Sequence, residues 1–386
     1  MHGEPKRVGA GLLTPFTLVL TLLSLAAIYF IGIRFSEGLS AVTNLNPGYP
    51  WGIWIVVDVV IGTALGCGGF AMALLVYVFN RGEYHPLMRP ALLGGLFGYT
   101  LAGIAVIVDL GRFWQFYNLL LPGYINLTSV MFEIALCVIL YIIVLWIEVA
   151  PAILERLGLA RLRRGLERFM WLFIALGIVL PTMHQSSLGT ALIPLGTKLS
   201  PLYQTAFLPL LFVVSALAMG YGVVVAEATV VSKGFRLPSE HRLLTRVGRV
   251  VGWIIVAWLA LRWGDIFVRE ATSHAFAGDT TAFWFWVENV LALGAAAAFL
   301  SPGGQRSERL TLLGGLSLLA FGSLYRLNAH LIAYTPAVEG YSYFPSVPEI
   351  LVTLGIIAFE ILLYLTFIKV FPILHVPARG RAAAAA

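Results

Sequence analysis

Asp58, Asp109, Glu133, His184 and Glu227 lie inside runs of apolar residues, as does Tyr99, and Arg112 stands at the end of one such run. A charged side chain at mid-depth in a bilayer costs about 2.5 to 3.5 kcal/mol on insertion scales, so these groups are expected to face protein and to serve a function. The chemistry open to them is proton transfer, because carboxyl and imidazole groups exchange protons once their surroundings tune them. Glu133 and His184 have no opposite charge within a turn of their own helices, which makes them candidate proton carriers. Gln185, Ser186 and Ser187 beside His184 strengthen that reading over a histidine that merely fills the interior. Asp109 with Arg112, and Arg262 with Asp265, are three residues apart, the spacing of helical neighbours that pair.

Metal chemistry has little support. Cys67 and Cys137 lie in separate apolar runs and form no CxxC pair, whereas an iron-sulfur cluster needs about four thiolates. HExxH and GxxxxGK strings are absent. Of the 7 histidines only His184 and His330 fall in apolar runs. Both fall near the outer ends of their runs, with no second pair to carry electrons inward. The expectation is therefore no metal and no haem in this chain.

These side chains need a scaffold that spans lipid. Hydrophobic residues make up 59% of the 386 positions and charged residues 11%, the composition of an all-α polytopic membrane protein. Ten spans are expected, at 14–34, 51–80, 88–111, 127–150, 167–188, 203–231, 247–268, 281–300, 309–334 and 347–371. The first is read as an uncleaved span and not as a signal peptide. A weak internal repeat, with Glu133 and Glu288 in corresponding spans, divides the chain into a first helix at 14–34, four-helix bundles over 51–188 and 203–334, and a last helix at 347–371. All of it forms one integral membrane domain.

The loops containing Arg81 and Arg89, Arg156 to Arg168, Lys233 to Arg249, and Arg306 and Arg309, together with both termini, hold 19 of the 25 Lys and Arg residues. That asymmetry places them, and both ends of the chain, in the cytoplasm. It also accounts for the net charge of +6 without nucleic acid. Depth then puts Asp58, Asp109, Arg112, Glu133, His184, Arg262, Asp265, Glu288, Arg326 and His330 in the outer half of the bilayer. Glu148, Glu227 and Glu360 fall in the inner half, with Tyr99 between. The outer loops are short and aromatic, suited to a docked partner or to the membrane interface.

Pro50-Trp-Gly-Ile-Trp54, Gly66-Cys-Gly-Gly69, Tyr77 to Pro86 and Leu180-Pro-Thr-Met-His-Gln-Ser-Ser187 resemble the NrfD or polysulfide-reductase-type membrane subunits. The likeness is greatest to the HybB-type subunit of quinone-linked nickel-iron hydrogenases and covers Trp51 to Pro372. The resemblance implies a haem-free, ten-span anchor of the bacterial inner membrane. Such an anchor exchanges electrons between menaquinone and a ferredoxin-like iron-sulfur subunit on the periplasmic face, with hydrogenase small and large subunits beyond it. Proton transfer would then fall to Tyr99, Glu133, His184 and Glu227, and the quinone to Asp58, Glu133, His184, Asp109 and Arg112. Quinol oxidation for a polysulfide or nitrite reductase, or a proton-coupled transporter, are the alternatives. His330 and the tail Ala382 to Ala386 match no pattern.

Overall fold

The computed structural model describes residues 5–6, 11–237, 239–336 and 340–375. The alanine tail lies outside them, as do Arg7, Arg379 and Arg381. Among the described residues, ten helices are long and apolar enough to cross a bilayer: α1 (Pro15–Glu37), α2 (Trp54–Val78), α3 (Met88–Asp109), α4 (Val130–Arg156), α5 (Met170–Thr190), α6 (Leu208–Gly234), α7 (His241–Val268), α8 (Thr280–Leu300), α9 (Glu308–Ile332) and α10 (Val347–Val370). All ten expected spans are present, with ends shifted by a few residues. The protein is an all-α, multi-pass integral membrane protein.

The boundaries have local causes. Thr14 and Thr17 form a capping box at the start of α1, and Ser346 and Glu349 form another at the start of α10. Ser129, Asp279 and Ser307 each accept a bond from the first turn of α4, α8 and α9. Such side chains satisfy amide groups that the helix leaves open at its N-terminus. At the opposite kind of end, Arg34 of α1 donates from Nε to Val108 O at 2.5 Å and from a terminal nitrogen to Leu110 O, closing the last turn of α3.

Helices α2 to α5 pack on one another, and so do α6 to α9; α2 and α5 also lie against α6. Outside these, α1 packs along α10, and α10 reaches α2 and α3. Close approach needs small residues, since lipid supplies no hydrophobic drive between helices. A Cβ on Gly66 would lie 2.9 Å from the Tyr99 ring, and one on Gly355 would lie 2.3 Å from Ala27 Cβ. Gly66 of α2 and Gly355 of α10 thus act as packing positions.

Two helices depart from regular α geometry. The first turns of α2, Trp54–Ile61, and the last turns of α9, Asn328–Ile332, are π-helical, a distortion that concentrates at functional sites. Two-residue strands β1 (Pro5–Lys6) and β2 (Leu374–His375) pair antiparallel, and β2 lies against the Gly82–Leu87 turn. The two ends of the described chain therefore meet on the face that carries this turn.

Candidate functional site

His184 on α5 is fully buried. Its Nε2 is 3.1 Å from Thr63 Oγ1 on α2, and Gln185 donates from Nε2 to the same oxygen at 3.1 Å. Thr63 gives its own hydroxyl proton to Val59 O at 2.7 Å, so its oxygen accepts from both neighbours. That assigns the proton of a neutral His184 ring to Nε2 and leaves Nδ1 as an acceptor. Nδ1 is buried and has no hydrogen-bond partner. Gln185 Oε1 accepts from Arg326 Nη2 at 3.0 Å, and Arg326 also donates to Ser215 Oγ and Phe212 O. Arg326 is fully buried and ties α9 to α5 and α6.

Tyr99 on α3 completes this cluster. Its ring stands edge-on to His184 at 5.8 Å and to Tyr141 at 4.5 Å, and its hydroxyl lies 3.7 Å from Cys67 Sγ. Glu133, Cys137 and Tyr141 follow at intervals of four along α4, which puts them on one stripe. The His184 ring also lies against the backbone of Ile134, next to Glu133. Glu133 itself occupies the half-exposed first turn of α4. Polar side chains thus recur at successive turns of α4, from Glu133 in its half-exposed first turn to Tyr141 beside Tyr99.

The other candidates separate from this line. Glu227 on α6 accepts a hydrogen bond from Tyr364 of α10. Asp58 on α2 accepts from Thr353 of α10 at 3.1 Å, and its second oxygen is buried without a partner. Asp109 and Arg112 do not pair: Arg112 is exposed just beyond α3, while Arg34 of α1 is the cation beside Asp109. Asp265 likewise binds Arg269 at 2.7 Å and Thr205 at 2.9 Å, not Arg262. Asp109 thus lies beside a cation of another helix, and Asp265 binds one a turn further along, in place of the partner three positions away.

Arg262 faces inward instead. Its guanidinium carbon sits 4.4 Å from the centre of the Tyr203 ring and 5.3 Å from that of Tyr325. Glu288 Oε2 accepts from Tyr203 at 2.7 Å and from Asn328 at 3.0 Å. The three nitrogens of Arg262, Glu288 Oε1, Tyr325 Oη and Asn328 Oδ1 remain buried without partners. At the start of α10, Glu349 accepts from Tyr343 Oη, Ser346 N and Asn44 N at 2.6 to 2.9 Å. Burial and that bond push the Tyr343 phenol above its ordinary range, so it stays a donor.

Arg34, Thr63, Tyr141, Thr353 and Tyr364 were not singled out from the sequence. For Thr353 and Tyr364 a signal exists: Glu349, Thr353, Glu360 and Tyr364 share one face of α10 at about 100° per residue.

Comparison with known proteins follows the same lines. The family described as Polysulphide reductase, NrfD, matches residues 41–332. A protein of Escherichia coli (strain K12) described as a probable Ni/Fe-hydrogenase 2 b-type cytochrome subunit is 39% identical over 377 residues, covering 97% of this chain and 96% of that protein. A menaquinone reductase integral membrane subunit of Nitratidesulfovibrio vulgaris is 29% identical over 248 residues, 60% of this chain and 57% of that one. An Hdr-like menaquinol oxidoreductase integral membrane subunit of Archaeoglobus fulgidus is 24% identical over 402 residues, 97% of each.

The first of these relatives corrects one expectation. It is described as a b-type cytochrome subunit, which indicates haem in that protein and overturns the haem-free reading of the sequence. That reading rested on counting histidine pairs by depth, and depth does not exclude a single site between His184 and His330. Both residues are of the donor type a haem uses, and both are buried. Their present surroundings are closely packed, however. The His330 ring lies against Trp51 and Phe212, its Nδ1 is 2.9 Å from Arg326 O, and the Arg326 side chain reaches Gln185 beside His184. This packing does not fit a macrocycle between the two rings.

Proposed function

The chain belongs to the NrfD polysulphide-reductase family, and from that premise we propose that it is the quinone-reactive membrane subunit of an oxidoreductase complex. The observation that carries the reading is His184 Nδ1, a buried acceptor without a partner beside Tyr99 and below Glu133. An orphaned polar atom in a closed interior calls for an occupant, and a quinol hydroxyl supplies the matching donor.

In this reading the head group enters at the Glu133 mouth and reaches toward His184 and Tyr99. Reduction of a quinone consumes two electrons and two protons, and its anionic intermediates need proton donors within hydrogen-bond reach. His184 and Glu133 exchange those protons, and Tyr99 with Thr63 and Gln185 holds the imidazole in place. Cys67 and Cys137 are separate, buried thiols, so the electrons come from an iron-sulfur partner docked on the outer, aromatic loops. The arginine-rich loops and both termini then face the cytoplasm. The 39% identity to the E. coli relative over nearly the full length favours a hydrogenase complex, and the likeness to a menaquinone reductase subunit favours menaquinone reduction. The likeness to a menaquinol oxidoreductase supports the reverse direction as the second reading, with the partner deciding between them.

The test uses the intact complex. Glu133→Gln and His184→Gln should each abolish quinone-linked turnover while dye-linked activity of the partner subunits stays at the level of the unaltered complex. Unaltered quinone turnover in both variants removes this site from the reaction.

A further inference from the structure

Among the described residues, Arg34, Arg262 and Arg326 are the buried arginines, and their surroundings differ in charge. Arg34 has Asp109 near it, and Arg262 has Glu288 and Asp265. Arg326 of α9 makes no ion pair among the described residues. The ionisable groups around it are the thiol of Cys67 and the phenols of Tyr99 and Tyr325. Its guanidinium is held by neutral acceptors instead. Nη1 donates to Ser215 Oγ at 3.1 Å and to Met219 Sδ and Gly322 O at 3.3 Å, while Nη2 donates to Gln185 Oε1 at 3.0 Å and Phe212 O at 3.1 Å. Nε is buried without a partner. A buried charge with no opposite charge beside it is costly, and inside a membrane protein it marks a functional place. Here the cation is fixed in position without being neutralised.

Its location gives that charge a use. Arginine only donates, so the Gln185 amide turns its oxygen to Arg326 and its nitrogen to Thr63 Oγ1, the atom that also accepts from His184. The Tyr99 hydroxyl lies beside the same amide. One neutral side chain therefore separates a fixed cation from His184 and Tyr99, the groups that meet the head group in the reading above. When an electron reaches a quinone before a proton does, the head group becomes an anion. A preorganised charge in a dry interior acts on such an anion far more strongly than it would in water.

We propose that Arg326 is a positioning residue of the quinone site: through Gln185 it orients Thr63 and His184, and its uncompensated charge makes the site prefer a negatively charged head group to a neutral one. The inference rests on the quinone reading of that site. Arg326 neither touches the head group nor carries a proton in it.

The purified complex in detergent tests this with two naphthoquinones that differ in one substituent. These are 2-hydroxy-3-methyl-1,4-naphthoquinone, an anion in alkaline buffer, and the neutral 2,3-dimethyl-1,4-naphthoquinone; equilibrium dialysis gives the Kd of each without turnover. Arg326→Gln removes the charge, and Ser215→Asp cancels it with a carboxylate at Nη1 while the Nη2 bond to Gln185 stays. Each should weaken binding of the anion about tenfold, the order expected of a unit charge several ångströms away at an effective dielectric of about 20, and leave the Kd of the neutral compound nearly unchanged. Arg326→Lys should keep most of the preference. Ser215→Asp serves if Arg326→Gln does not assemble, because it gives Arg326 an ion-pair partner. With reduced methyl viologen as donor and the dimethyl compound as acceptor, the same two variants should lower kcat and leave KM, since the charge acts on the anion formed in turnover and not on the neutral substrate. Equal losses for the two compounds, or none, overturn the proposal. Binding that His184→Gln weakens, with a preference for the anion that survives Ser215→Asp, removes the role of Arg326 and leaves the quinone site standing. Binding that His184→Gln leaves unaltered removes the site and this role with it.

Discussion

Glu349 shows how much a single side chain can decide. Its carboxylate accepts from the Tyr343 hydroxyl, from Ser346 N in its own capping box and from Asn44 N in the α1–α2 loop. One residue thereby ties two outer loops to the start of α10. Hydrogen bonds to a charged acceptor contribute about 1.5 to 3 kcal/mol, and a lost cap costs about 1 kcal/mol. Glu349→Ala should therefore lower stability by about 2 kcal/mol or more, read as a fall in the melting temperature of the purified complex in detergent. An unchanged melting temperature would show that the loops hold without it. At the same scale, Thr63 decides the tautomer of His184 because its only proton is already given to Val59 O.

At the scale of elements, α7, α8 and α9 meet around a charge that none of them neutralises alone. Arg262 of α7 faces Glu288 of α8 across the Tyr203 and Tyr325 rings, and no direct bond joins them. The unpartnered atoms include both donors and acceptors, a mixture that water satisfies and that neither a simple anion nor a cation can. Removing one member of a buried charge pair costs about 3 to 5 kcal/mol because the other is stranded. Arg262→Met should accordingly destabilise by that order, and adding Glu288→Gln should recover much of the loss. A thermal double-mutant cycle measures this, and strictly additive losses would mean that the two side chains do not interact. Several partnerships that spacing suggested fail at this scale. Asp109 and Asp265 find cations on a different helix or one turn further along, since helix rotation and interhelical neighbours are free to override a contact three residues away.

For the molecule as a whole, the ends of the described chain meet through β1 and β2 beside the Gly82–Leu87 turn. On this face Arg163 of the α4–α5 connection pairs with Glu155 and Glu167, and Arg246 near the start of α7 pairs with Glu83 of the Gly82–Leu87 turn. The opposite face exposes Trp114, Phe116, Tyr117 and Tyr124 between α3 and α4, aromatic residues of the kind that settle at the membrane interface. Cysteines introduced at Arg164 and at Tyr124 should react with a membrane-impermeant maleimide from opposite sides, Tyr124→Cys in intact spheroplasts and Arg164→Cys only after lysis. Labelling of both from one side would invert or break the proposed topology.

The amino-acid sequence by itself determined the ten spans. A segment of about 20 apolar residues crosses lipid as a helix whatever surrounds it, because its backbone has no other partner there. The polar residues Glu133, His184, Tyr99 and Glu227 stood out for the same reason, as costly exceptions in apolar sequence. Tertiary structure alone decided how they associate: His184 with Thr63 and Tyr99, Glu227 with Tyr364, Asp58 with Thr353. A helix bordered by lipid on one side and by apolar protein on the other carries little amphipathic pattern, so nothing local reveals its rotation or which neighbour each buried polar group meets.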